Sequence, residues 1–196
     1  MSKVNRPDNR LALCADFVRQ GVAVADIGTD HAYLPLQLLR DGVIIRAVAA
    51  DINEGPLARA RENIYAEGAE DKIALRLSDG LQNISPDEAD DIVIAGMGGE
   101  VISSIIASCG WLRDPKKHLI LQPMSKSEEL LRFLFENGFE ILDQKCALAA
   151  GKYYTVLLCK YCSVKQLFSP ADCYLGKLDL TDEISREFLK KQLKKL

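Results

Sequence analysis

An α/β fold with a doubly wound, mostly parallel sheet is predicted by three features of this 196-residue chain. Strand-length apolar runs alternate with helical patterns five times. Aspartate or glycine recurs where those runs end, at Asp26, Asp51, Asp79 and Gly96. The last two runs are long and meet at Ala150-Gly151, a tight turn that makes a hairpin and adds one antiparallel strand.

The elements follow in order. Residues 8–20 carry Leu11, Leu13, Cys14, Phe17 and Val18 at amphipathic helical spacing. The first strand is expected at 22–27, and a helix at 34–41. A second strand over 44–50 ends at Asp51. Pro56 suits the opening turn of a helix over 57–68, because its missing N–H has no helical partner there, and Gly68 is its stop. Residues 72–77 alternate as a third strand ending in Ser78-Asp79-Gly80. A fourth strand over 91–95 leads into Gly96-Met97-Gly98-Gly99 and a helix over 101–108. A fifth, 118–122, is closed by Pro123. Gly138 ends a helix over 128–137, and the hairpin strands are 139–149 and 152–161.

The tail from Ser163 differs in character. Residues 181–196 place Ile184, Phe188, Leu189, Leu193 and Leu196 on one helical side, with Thr181 or Asp182 as cap. Lys190, Lys191, Lys194 and Lys195 fall on the last turns, either as a solvated, dipole-compatible end or as a basic surface for nucleic acid. The apolar pattern runs to the final residue, as expected of a shortened helix or of one that packs on a partner.

Composition narrows the classes. Hydrophobic residues make up 48%, enough for a sizeable core. No apolar stretch has the length of a membrane span, and MSKVNRPDNR lacks a signal-peptide segment, so a cytoplasmic protein is expected. A net charge of −3 neither announces nor excludes a nucleic-acid partner, since local patches decide. The six cysteines lie in apolar segments and read as reduced thiols. Cys159 and Cys162 form a lone CxxC, and His31 and His118 are the only histidines, so no metal is expected.

In a doubly wound sheet, ligands bind beyond the carboxyl ends of the strands at the switch point. Residues expected there are Asp26 and Gly28, Asp51, Asp79 and Gly80, Gly96 and Met97, and Gln122 with Pro123. Asp51 follows Gly28 by 23 residues, where a carboxylate accepts from ribose hydroxyls; the alternative is a helix-capping aspartate. Asp79-Gly80 reads as an adenine-amine acceptor or as a plain turn. The glycines around Met97 mark close backbone approach or a tight turn, and without a following Lys-Ser/Thr they are no phosphate loop. Asp30 and His31 are the catalytic candidates, Asp30 for its charge and His31 as a donor or merely a helix cap.

Taken together, ADIGTDHAYLP (25–35), AADINEGPLARARENI (49–64), LSDGL (77–81), DIVIAGMGGEVI (91–102), LILQPM (119–124) and AAGKYYTVLL (149–158) closely resemble the bacterial TrmK-type tRNA methyltransferases. Members of that family use S-adenosylmethionine to methylate N1 of adenosine 22 in tRNA. The resemblance covers 8–162; residues 1–162 would form the cofactor-binding domain, with 163–196 a helical region like a shortened coiled coil. It implies a class I, Rossmann-like methyltransferase fold with a seven-stranded sheet. By position, Asp26, Gly28 and Asp30 would line the methionine part of the cofactor, and Asp51 and Ile52 would hold ribose and adenine. Asp79 and Gly80 would meet the adenine, and Gly96 and Met97 would border the reacting methyl. Arg6, Arg10, Lys190 and Lys191 would hold tRNA phosphates, with Gln122 and Pro123 near the base. Met124 stands where an asparagine is common in the family, and the helical tail is short.

Rival readings share the cofactor motifs: a methyltransferase for a small molecule or protein, or a binding module without turnover. A nicotinamide dehydrogenase is disfavoured, because the first turn lacks GxGxxG and carries Asp30 where a pyrophosphate would sit.

Overall fold

The computed structural model describes residues 8–194. Seven strands form one sheet in the order β3-β2-β1-β4-β5-β7-β6. They are β1 (Val22–Ile27), β2 (Ile44–Asp51), β3 (Ile73–Leu77), β4 (Asp91–Gly98), β5 (His118–Ser125), β6 (Phe139–Ala149) and β7 (Lys152–Tyr161). Neighbours are parallel except β7, which is antiparallel to both β5 and β6. The strand order reverses between β1 and β4, which sets the switch point there.

Alternate residues of each strand feed two cores, as the period of two requires. Val24, Ala49, Val93, Ile120 and Val156 face α1 (Asn9–Asp16), α2 (Tyr33–Arg40) and α3 (Glu54–Ala66). Ala25, Ile92, Ile94, Leu119 and Leu157 face α4 (Gly99–Ser108) and α5 (Ser127–Glu136). Gly99 permits this second layer: a side chain there would run into the Lys126 carbonyl and separate α4 from α5.

Several boundaries differ from expectation, each for a physical reason. Helix α1 is capped by Asp8, which accepts from the Arg10 and Leu11 amides, but it stops at Asp16 rather than Gln20. Beyond it, buried Asp91 accepts from the Arg19 amide at 2.9 Å and from its guanidinium at 2.8 Å, drawing the chain out of the helix toward β1. Helix α3 begins at Glu54, so Pro56 is its third residue, still within the turn whose N–H groups lack helical partners. Strands β4 and β5 both run three residues past their predicted ends, with Met97 opposite Pro123 and Gly98 opposite Ser125. The register slips on either side of Met97, and the β5–β7 pairing has already ended at Leu121, so Pro123 fits without breaking a ladder.

The tail lies against the hairpin edge. Helices α6 (Asp172–Leu175) and α7 (Glu183–Leu193) follow a segment that packs Phe168 on Phe135 at 5.4 Å. The Gln144 side chain accepts from the Lys177 amide at 2.7 Å and donates to Thr155 Oγ1 at 3.1 Å. Asp182 is the cap of α7, and Phe188 and Ser185 are buried beneath it. Among the described residues, all six cysteines are free thiols and no helix is long and apolar enough to cross a membrane. Arg6, Lys195 and Leu196 lie outside the described residues.

Candidate active site

The carboxyl ends of β1 to β4 surround a cavity of about 390 Å³. Six expected residues line it together: Gly28, Asp51, Ile52, Asp79, Gly80 and Met97. Backbone bonds brace its floor. The Gly28 and Thr29 amides both donate to the Ala50 carbonyl, at 2.8 and 2.9 Å, and the Ser78 amide donates to the Asp51 carbonyl at 2.9 Å. Gly28 has φ +79°, which strains any other residue, and a side chain there would push the flexible Met97 methyl aside.

Asp51 is not the cap of α3; that position is Asn53. Asp51 Oδ1 accepts from the Asn53 amide at 2.7 Å, which fixes the carboxylate at the cavity. Among the described residues no donor is bonded to its second oxygen, which stays available to a hydroxyl. Asp26, two residues before Gly28, is buried. Burial pushes its carboxyl up to about 6, offset in part by Thr29 and reinforced by the Asp51 charge.

The opposite wall comes from α4, whose Glu100, Val101, Ser104 and Ile105 line the cavity without any motif to mark them. Val101, Ser104 and Ile105 follow an i, i+3, i+4 pattern, the one signal that could have found them, but it reads equally as core. Val101 and Ile52 are about half exposed, offering aliphatic surfaces to a flat ring.

Asp30 and His31 do not enter the cavity lining. The Asp30 carboxylate is 63% exposed, ion-paired with Arg59 of α3 and 3.3 Å from His31 Nε2. His31 stacks on Tyr33 with centroids 4.8 Å apart, and its carbonyl accepts from Asn63 at 3.0 Å. These residues fasten the first loop to α3, just beyond Gly28.

A second cluster sits past the ends of β4 and β5. Gln122 is fully buried, and its Oε1 accepts from Arg10 Nη1 at 2.6 Å and from the Gly96 amide at 3.1 Å. Pro123 is buried too. Both are closed off from solvent, so a place near the base would put them behind its binding surface rather than on it. Arg10 is likewise not a free phosphate ligand: it is paired with Asp8 at 3.0 Å and lies 5.5 Å over the Tyr154 ring, with 17% of its side chain exposed. Lys190 and Lys191 are exposed on α7, the first bonded to Glu187 at 2.7 Å and the second 4.5 Å over the Tyr153 ring. Among the described residues no cluster of metal-ligating side chains is present.

A seven-stranded sheet in this order, with one antiparallel strand and an acid-edged cavity on the β1–β3 side of the switch point, defines a class I methyltransferase fold. The sequence model of a methyltransferase domain family matches residues 8–157. The tRNA (adenine(22)-N(1))-methyltransferase of Bacillus subtilis is 35% identical over 149 residues, 76% of this chain and 63% of that protein. The crystal structure of the B. subtilis M1A22 tRNA methyltransferase TrmK superposes with a TM-score of 0.80 at 30% identity, covering 96% of this chain and 82% of that one. Streptococcus pneumoniae Sp1610 in complex with S-adenosyl-L-methionine gives a TM-score of 0.84 at 37% identity, over 95% and 86% of the two chains. The chain belongs to this methyltransferase family, in the branch of the bacterial TrmK proteins. Its match spans less than two thirds of the length of the B. subtilis relative.

Proposed function

We propose that this chain methylates N1 of adenosine 22 in tRNA, with S-adenosylmethionine as methyl donor. The observation that carries the reading is the cavity itself: a braced carboxylate, half-exposed aliphatic walls and a second acidic turn, all beside Met97. Its size falls in the range of small-molecule sites. The family's tRNA-modifying relatives support the choice of substrate.

The residues fit the cofactor part by part. Asp51 would accept from the ribose hydroxyls, and Ile52 and Val101 would flank the adenine. Asp79 would accept from the adenine amine, with Gly80 allowing close approach. Asp26 would supply negative charge for the amino group of the methionine moiety, and Gly28, Gly96 and Met97 would border the sulfur end. Bound there, S-adenosylmethionine would supply an electrophilic methyl on a sulfonium, the C–N bond to adenine N1 forming as the C–S bond breaks and S-adenosylhomocysteine leaves.

Adenine N1 carries its own lone pair, so no side chain has to remove a proton first. The chain's contribution is therefore placement. N1 lies on the Watson–Crick edge, so the base must be free of its pair or stack before it is received. The methylated adenine is cationic. Asp30 lies outside the cavity lining with its charge offset by Arg59, so it would hold the first loop in place rather than stabilise this product. Residues 1–162 would carry this chemistry. Residues 163–196, with Lys190 and Lys191, would contribute phosphate contacts.

The test is methyl transfer from labelled S-adenosylmethionine to unmodified bacterial tRNA, with a guanosine-22 variant alongside, mapped by mass spectrometry. One methyl at N1 of adenosine 22 and none on the variant is expected. Methylation of another nucleotide, or cofactor binding without transfer to RNA, would overturn the reading.

A further inference from the structure

The strands β5 and β7 part company at the carboxyl edge of the sheet. Their pairing runs from His118 opposite Lys160 to Leu121 opposite Leu157 and then stops. Beyond that point β5 stays with β4 as far as Ser125, while the first five residues of β7 pair with β6 alone. Gln122 is the first residue of β5 past the split. Arg10, from α1, bridges it: one nitrogen meets Gln122 Oε1, and the guanidinium lies over Tyr154 on β7.

The same Oε1 has a second task. Gly96 stands where β4 slips register, between Ala95 opposite Gln122 and Met97 opposite Pro123, so it has no partner residue on β5. The Gly96 amide is satisfied instead by the Gln122 side chain at 3.1 Å. Gln122 is fully buried while Gly96 itself is exposed, so the bond to the Gln122 side chain, rather than burial, is what ties this amide down. Its Nε2 donates to the Pro123 carbonyl at 2.8 Å, which fixes which end of the amide faces Gly96 and Arg10. Asp8 bonds Arg10 Nε at 3.0 Å and offsets its charge, so the bridge does not add an uncompensated cation beside a base becoming cationic. Tyr154, Arg10, Gln122, Gly96 and Met97 thus form one continuous line from the hairpin to the cavity wall.

We propose that Gln122 and Arg10 are positioning residues for methyl transfer. They act by holding the Gly96 bulge, and with it the Met97 wall, rather than by touching tRNA. The inference rests on the methyltransferase reading above, but the bond it invokes can be measured without turnover. A misplaced wall costs rate more than cofactor affinity, because Asp51 and Asp79 stay where they are.

The experiment compares Gln122→Leu, Arg10→Met and Arg10→Lys in the full chain by three readouts. These are amide hydrogen exchange at Gly96, cofactor affinity by calorimetry, and the kcat and KM for tRNA methylation. Gln122→Leu should speed Gly96 exchange by about tenfold or more, since that amide loses its acceptor. It should lower kcat by about 10–100-fold with cofactor affinity and tRNA KM little changed. Arg10→Met should follow in the same direction, and Arg10→Lys, which keeps a donor for Gln122, should recover most of the loss. Unchanged Gly96 exchange in Gln122→Leu would overturn the proposal. So would an Arg10→Met effect confined to tRNA KM, which would make Arg10 a phosphate contact. If Gln122→Leu does not fold, the Arg10 pair decides the matter by the same criteria. If the unmodified protein binds cofactor but methylates no tRNA, the functional reading fails, while Gly96 exchange still tests the link.

Discussion

Asp26 is a carboxylate that water barely reaches, and its titration should be visible in both stability and binding. Its folded value of about 6 lies above the ordinary 3.8. Between those values the unfolded chain has already lost a proton that the folded chain keeps. Folding is therefore favoured less as pH rises through that window, and the full cost, on the order of 3 kcal/mol, is present above it. Asp26→Asn should stabilise the protein at pH 7 by about 1–3 kcal/mol, read from urea midpoints. The same change should weaken cofactor binding, because an amide offers no charge to an ammonium. In the unaltered protein, cofactor affinity should rise from pH 5 to pH 7, with proton release on binding near pH 6 detectable by calorimetry in two buffers. Gly28→Ala is expected to act the other way on the fold. Its left-handed φ and the Met97 methyl together predict a loss of about 1–3 kcal/mol and a narrowed cavity, measurable as lower Tm and weaker cofactor binding. At this scale the sequence was informative where a residue's role is local. Asp51, Asp79 and Gly28 sit at strand ends, and the strand ends are legible. Asp30 and Gln122 were not, because their partners, Arg59 and Arg10, come from 29 and 112 residues away.

Elements were legible in kind and order, and their ends were not. The strands β1, β6 and β7 match the apolar runs residue for residue, because each run is bounded by glycine or a polar turn. Helix α1 ends early because Arg19 is claimed by Asp91, a contact across 72 residues that no local pattern reports. Strands β4 and β5 run on because each supplies the other's partner past Ala95, through glycines and a proline that ordinarily signal a break. Helix α6, four residues long, left no periodic trace. Helix α7 is attached mainly through Phe188 and Ser185, which sets up a prediction at this scale. Phe188→Ala should cost about 3–5 kcal/mol if α7 unfolds with the sheet. Attachment by so few buried residues argues that it detaches alone instead. The expected outcome is faster amide exchange over 183–193 while β1, β4 and β5 stay protected. Loss of protection in the central strands would show the tail to be part of the main cooperative unit.

At the scale of the molecule, the proposed tRNA substrate would have to be held by a chain of net charge −3 through local contacts. Lys190 and Lys191 stand beside the hairpin that passes the ligand edge of the sheet, Lys191 over Tyr153. Replacing both with alanine should lower tRNA affinity and reduce the slope of log affinity against log salt by about 1–2, read by filter binding between 50 and 200 mM salt. An unchanged slope would remove them from the interface. The strand order carries a separate consequence, for the chain as it is made. Strand β7 is the last to be synthesised, yet it lies between β5 and β6. Until about residue 161 has left the ribosome, β5 is an open edge bearing Leu119, Ile120 and Leu121, all wholly buried in the finished sheet. Nascent chains that stall in or before β7 therefore display an adhesive apolar strand to their neighbours. The protein is safe from its own sheet only when the final strand slides home, so its birth depends on prompt completion more than its mature stability suggests.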